Sequence, residues 1–223
     1  MPKLADFLLR ERPIKKWLRE TLPKPLWHSC GTTFYRLLGR RSYPQGETAK
    51  AQNRRIKEGF FEKYCRGKGL DIGYGGNLLS RNCRGWDFEH GDAQYLLGLK
   101  DATFDFVYSS HCLEHMVDVQ VALRNWWRVL KSGGHLILFV PHRDLYERKK
   151  TLPSHWNLDH KRFFLVDKDD PPDTVGIMPL IQRTFSNSEI IYAKECSGGY
   201  GVNRDGYPEG EYSIEVVVKK GLV

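Results

Sequence analysis

The stretch GLDIGYGGN, residues 69–77, decides how the rest of the chain is read. A short apolar run carrying one carboxylate, Asp71, leads into Gly73, Gly75 and Gly76, after which Leu78 and Leu79 resume apolar sequence. A glycine turn at the end of a strand lets bare backbone approach a small molecule. Outward from this turn the pattern alternates. GWDFE (85–89) predicts a short second strand, and FDFVYSS (104–110) a third that is too continuous to be half exposed. A helix then starts at Asp118, which can cap it, and keeps Val119, Leu123, Trp126 and Leu130 at helical spacing. It is expected to stop at KSGG (131–134), with Lys131 in its last turn. HLILFVP (135–141) has the composition of a strand buried on both faces. Strands alternating with helices imply an α/β fold, a doubly wound and mostly parallel sheet. SEIIYAKE (188–195) and YSIEVVVKK (212–220) predict a C-terminal antiparallel hairpin.

Upstream, residues 3–20 have the spacing of a helix interrupted at Pro13. A second short helix is expected over 32–41, and a longer one over 47–65 after the hinge SYPQG (42–46). The expected division is an accessory basic helical segment, 1–45, and a core domain, 46–223, within which 142–185 forms a lid or acceptor insertion. The charge supports the division. Residues 1–60 hold 14 Lys and Arg against 5 Asp and Glu, or +9, while the remainder holds 21 against 22, or −1. The basicity therefore belongs to the N-terminal segment, where it suits peripheral contact with an anionic membrane or glycan, or a solvated face. No run of eighteen apolar residues is present, so no transmembrane segment is expected. Five cysteines without a CxxC point to a reducing compartment, and a cytoplasmic location is expected.

What the glycine turn holds follows from charge. A dinucleotide fingerprint needs GxGxxG, but the third position is Leu78 and Asp71 would face a phosphate. Like charges about 4 Å apart repel by about 4 kcal/mol at an effective dielectric of about 20. No GK[ST] follows, so a Walker loop is excluded. A ligand that is cationic there fits instead, and S-adenosylmethionine carries an ammonium and a sulfonium but no phosphate. LDIGYGG resembles motif I of the class I S-adenosylmethionine-dependent methyltransferases. FDFVYSSHCLEHMVD (104–118), followed by LRNWWRVLKSGGHLILFVP (123–141), is similar to the small-molecule subgroup called type 11. The resemblance covers roughly 67–141. It implies S-adenosylmethionine as cofactor, held by Asp71, Gly73 and Gly75, by Asp87 at the ribose hydroxyls, by Asp92 and Ala93 at the adenine, and by Ser109 and His111 beyond the third strand. Asp87 and Asp92 stand only five apart where the family has a helix and a further strand. The expected fold therefore has a trimmed third-strand edge, and Glu89 is an alternative ribose contact.

Methyl transfer from a sulfonium is an in-line displacement that needs positioning more than covalent help. A general base assists when the acceptor is a hydroxyl. Five of the eight histidines follow the third and fourth clear strands: His111, His115, His142, His155 and His160. His115 belongs to the LEH pattern and is expected to be structural. His142 directly follows the fourth strand, and His160 with its neighbour Asp159 offers a base and its orienter. The catalytic candidates are thus His160, His142 and Asp159. Trp156, Phe163 and Phe164 are candidates for stacking on a sugar or for lid core. HCLEH (111–115) is not HExxH, the resemblance accounts for Glu114 and His115, and no metal site is expected. DDPPD (169–173) reads as a loop. The expected function is methylation of a hydroxyl on a small molecule or glycan, with nucleic acid an unlikely partner. An RNA methyltransferase using the basic arm and a non-catalytic scaffold with the same fold are the alternatives.

Overall fold

A computed structural model describes residues 47–222. The helices expected before residue 46, and the contacts expected of that segment, lie outside the described residues. The core rests on alternation along the central strands. Leu136, Leu138 and Val140 face one layer, while Ile137 and Phe139 face the other. Every second side chain of a strand points to the same face, so a fully apolar strand must be covered on both sides.

The elements run α1 (Glu47–Lys50), α2 (Gln52–Lys57), α3 (Phe60–Tyr64), β1 (Gly69–Ile72), β2 (Cys83–Trp86), β3 (Phe104–Ser110), α4 (Val119–Val129), β4 (Leu130–Pro141), α5 (Arg143–Tyr146), β5 (Phe163–Leu165), β6 (Thr174–Gly176), α6 (Ile177–Thr184), β7 (Ser188–Cys196), β8 (Gly201–Val202), β9 (Pro208–Glu209) and β10 (Ser213–Lys220). Six strands form one sheet in the order β2-β1-β3-β4-β10-β7. β2, β1, β3 and β4 pair parallel, and β10 pairs antiparallel with both β4 and β7. The trimmed edge is visible: β1 reaches β2 through turns with no helix between them, and the next strand, β3, returns to the other side of β1.

One layer is made by α4 and α6, whose Leu123, Trp126, Val129, Ile177, Leu180 and Ile181 pack on Leu70, Val107 and Val216. Asp118 caps α4 by accepting the N–H groups of Gln120 and Val121. The other layer is thinner, with Ala51 and Phe60 on Phe106, Tyr108 and Val217.

Several expectations need correction. The helix expected over 47–65 is three short pieces, because Gly59 takes a left-handed conformation (φ +63°) and breaks the run before Phe60. The second strand, Cys83–Trp86, starts two residues before the expected GWDFE and shares only Gly85 and Trp86 with it. The helix begun at Asp118 ends at Val129, so Leu130 and Lys131 already belong to β4, and Gly133 turns at φ +76° within it. The segment 142–185 is not a lid throughout. Its C-terminal part forms β6, paired with β5 in a separate two-stranded sheet, and α6 of the main layer; Phe163 and Phe164 are buried in β5, closed to any sugar.

Basic residues at the start of the described chain are turned inward. Arg55 and Glu215 are both fully buried, with Arg55 Nε 2.7 Å from Glu215 Oε1. Arg54 adds Nη1 to the other oxygen of Glu215 at 2.7 Å and Nε to Glu211 at 2.9 Å. These ion pairs hold α2 to β10, which removes two charges from those available to a polyanion. Among the described residues no helix is long and apolar enough to cross a membrane.

Candidate active site

The carboxyl ends of β1, β2, β3 and β4 meet at one edge of the sheet, where ligands bind in folds of this type. The glycine loop after β1 is held from two sides. Asp71 is buried, and its Oδ2 accepts the Leu79 N–H at 2.6 Å, closing the loop back on the strand. Burial pushes its carboxyl up to about 7, opposed by the Leu79 N–H and by Arg55. Asp87, at the end of β2, accepts the Gly75 N–H at 2.9 Å through Oδ2 and the Phe88 N–H at 2.8 Å through Oδ1. Asp71 and Asp87, two of the three expected cofactor carboxylates, thus shape the loop. Gly73 and Gly75 have φ of +74° and +55°, the left-handed region where a side chain is strained. A Cβ on Gly73 would stand 2.8 Å from that of Cys112, whereas nothing lies within 4 Å of one on Gly75.

Beside this loop, Phe88 is 86% exposed and Glu89 accepts the Tyr74 hydroxyl at 2.9 Å. Asp92 Oδ1 accepts the Gln94 N–H at 2.7 Å, and the Ala93 carbonyl accepts Trp126 Nε1–H at 2.8 Å. That bond ties the segment after β2 to α4. Ser109, near the end of β3, is buried.

A second group of side chains gathers beyond β3 and β4. His111 adopts φ +48°, a conformation uncommon for any residue but glycine, and its Nε2 lies 2.8 Å from Ser213 Oγ. Burial, reinforced by His160, Lys50 and His115, holds its pKa well below the usual histidine value. Glu114 sits in the 3-10 turn Leu113–His115, fully buried, and burial pushes its carboxyl up to about 7. Neither carboxylate oxygen has a hydrogen-bond partner. Around Oε1 stand His111 Nδ1 at 3.8 Å, His115 Nε2 at 3.9 Å and His160 Nε2 at 3.9 Å. The loop carrying His160 is stapled here: Lys161 N–H donates to the Glu114 carbonyl at 2.9 Å, and Arg162 donates to the carbonyls of Met116 and Val117.

The pairing expected between His160 and Asp159 is not made. His160 Nδ1 lies 2.9 Å from Glu147 Oε1, while Asp159 Oδ2 lies 2.9 Å from His115 Nδ1. The loop turns between the two neighbours, sending one inward and the other to the surface. Although burial opposes it, hydrogen bonds from His160, Ser154 and the His155 N–H hold the Glu147 carboxyl below its ordinary range. His142 is not brought to the group either. It caps α5, and its Nε2 points across β10 to Glu195 of β7 at 3.2 Å. Trp156 donates Nε1–H to the Tyr146 carbonyl at 3.0 Å, edge-on to Tyr207. Sequence reasoning overlooked Glu147, which lies in a charged stretch, RDLYERKK, where nothing distinguishes it from a solvated residue.

Residues 63–138, roughly a third of the chain, match a family model described as a methyltransferase domain. A stretch of 82 residues is 35% identical to the ubiquinone/menaquinone biosynthesis C-methyltransferase UbiE of Cellvibrio japonicus, covering 35% of this chain and 29% of that protein. The match thus spans less than a third of that relative's length. Among solved structures, an S-adenosylmethionine-dependent methyltransferase from Clostridium acetobutylicum is similar over 86% of this chain and 100% of its own, with a TM-score of 0.51 and 12% identity. A protein solved in work on the conversion of a disulfide bond into a thioacetal group during echinomycin biosynthesis matches over 77% of this chain and 82% of its own, with a TM-score of 0.50 and 12% identity. At that identity the two likenesses bear on the fold, a Rossmann-like methyltransferase arrangement.

Proposed function

We propose, from the premise that residues 63–138 carry a class I S-adenosylmethionine-dependent methyltransferase domain, that the whole chain methylates a hydroxyl group of a small molecule or glycan. The observation that carries the oxygen acceptor is the buried imidazole–carboxylate group next to the glycine loop, joined to it through Cys112, against which Gly73 packs. The cradle fits the cofactor: open space faces Gly75, Phe88 is an exposed aromatic surface, and carboxylates Asp87 and Glu89 line the end of β2. When bound, S-adenosylmethionine supplies a methyl group on a cationic sulfur, and the bonding pair returns to sulfur as the methyl passes to the acceptor oxygen.

In this reading Asp71 acts through the loop it closes, and Asp87 and Glu89 receive the ribose. Phe88 covers a face of the adenine. Ser109 and His111 border the reacting end. His160 takes the hydroxyl proton at Nε2. Glu147, ionised and accepting from Nδ1–H, fixes that tautomer and stabilises the imidazolium that results.

The test is methyl-labelled S-adenosylmethionine offered to panels of hydroxylated small molecules, glycans and RNA. Label is expected in an alkali-stable ether of the first two; label in RNA alone would overturn the reading. His160→Ala is expected to slow turnover by roughly 10²–10⁴-fold with cofactor affinity within about twofold of wild type.

A further inference from the structure

We propose that Glu114, His115 and His160 form a binding site for a first-row divalent transition metal, with Zn²⁺ the ion their chemistry suits best. Their candidate ligand atoms lie within 4.8 Å of one another. Each histidine has its remote nitrogen engaged. His160 Nδ1 meets Glu147 at 2.9 Å, and His115 Nδ1 meets Asp159 at 2.9 Å. Both acceptors are carboxylates, which accept rather than donate when ionised, so both imidazoles present N–H there. The proton sits on Nδ1, and the lone pair of each Nε2 is turned toward Glu114. A carboxylate behind a histidine is how metal-binding imidazoles are oriented and made more basic.

Three electron-rich groups therefore converge. Glu114 is fully buried and neither of its oxygens has a partner. The 3.9 Å from Oε1 to each Nε2 is too long for a hydrogen bond to hold the group together. It is close to the about 3.4 Å that separates two donors sharing one tetrahedral ion at bonds of about 2.0–2.1 Å. Two imidazoles and one carboxylate with a free fourth position form the donor set of a reactive rather than a purely structural zinc site. His111 Nδ1, 3.8 Å from the same oxygen, borders that position. On the function proposed above, the free position would receive the acceptor oxygen, and with an ion present His160 is a ligand rather than the base.

The sequence hides this site because its ligands come from two places. Glu114 and His115 share a 3-10 turn, while His160 arrives forty-five residues later on a loop stapled to that turn by Lys161 and Arg162.

The experiment strips the full-length chain with a chelator and titrates it with Zn²⁺ and, for its visible spectrum, Co²⁺. One equivalent is expected per chain, with the intense visible absorption of tetrahedral Co²⁺. Glu114→Gln and His115→Gln are expected to weaken binding beyond about 100-fold, and Glu147→Gln by about 10–100-fold, the range for a group that orients a ligand. S-adenosylmethionine affinity, measured on the same samples, shows that each variant is folded. Wild-type protein that takes up no ion, or takes it up equally in Glu114→Gln and His115→Gln, overturns the proposal. Ion uptake without methyl transfer supports this site and sinks the proposed function; methyl transfer by wild-type protein that takes up no ion does the reverse.

Discussion

Gly75→Ala separates the fold from the cofactor. At φ +55° an alanine costs about 1–2 kcal/mol of backbone strain, but its methyl group meets nothing within 4 Å. Stability should fall by that strain alone, or roughly 2–8 °C in Tm for a domain of this size. If the open space is where the cofactor lies against bare backbone, the same methyl group displaces it. A loss of tenfold or more in affinity, about 1.4 kcal/mol, is then expected on top of the small stability change. Two companions calibrate the result. Gly98 has φ +82° and equally open surroundings but lies away from the loop, so Gly98→Ala should match the stability loss and leave binding intact. Gly73→Ala adds to the strain a contact of 2.8 Å with Cys112 Cβ and should lose about 1–3 kcal/mol more stability. Thermal unfolding and calorimetric titration with S-adenosylmethionine provide both readouts. Gly75→Ala binding within twofold of wild type would refute the placement of the cofactor.

Three further outcomes are expected. Phe88→Ala removes an exposed aromatic face and should cost about 1–3 kcal/mol of cofactor binding, the range for an aromatic stacked on a base; unaltered affinity would remove Phe88 from the adenine site. Glu215→Ala leaves Arg55 buried without its carboxylate and should destabilise by about 3–5 kcal/mol in urea unfolding, so a loss under about 1 kcal/mol would refute the role of this ion pair. Asp71 has its pKa raised on folding, from the ordinary 3.8 to about 7, so its contribution to stability is complete below the lower value and is lost as pH rises through the upper. Wild type should therefore lose up to about 1.4 kcal/mol per pH unit through this group between roughly pH 4 and 7, and Asp71→Asn should flatten that slope; parallel slopes for the two proteins would refute the assignment.

What the sequence made legible is what depends on neighbours along the chain. The strands 104–110 and 135–141 announce themselves because burial on both faces demands unbroken apolar sequence, and Asp118 announces its helix because a cap acts within three residues. Even the curtailed crossover after β1 could be read as a short helix, since about ten residues leave little room for one; the structure has turns alone there. The failures share the opposite property. Gly59 breaks a helix whose spacing continues across it, and Leu130 extends a strand rather than a helix because its partner Phe104 lies far upstream. Arg54 and Arg55 counted as a basic surface until Glu211 and Glu215, about 160 residues away, neutralised them inside the core.

The candidate site obeys the same division. Asp71, Gly73, Gly75 and Asp87 could be put forward because they fall in short contiguous stretches that resemble a known family's motifs. The role of Asp71 still changed once the Leu79 N–H claimed its oxygen. Asp159 and His160 are adjacent in sequence, yet each chose a distant partner, and adjacency on an irregular loop says nothing about side-chain direction. A histidine's chemistry is set by what holds its remote nitrogen. For His160 that group is Glu147, thirteen residues upstream at the end of α5. The proton position on which either a base or a ligand role depends is therefore a property of the folded loop, one that no local pattern in SHWNLDHKRFF could encode.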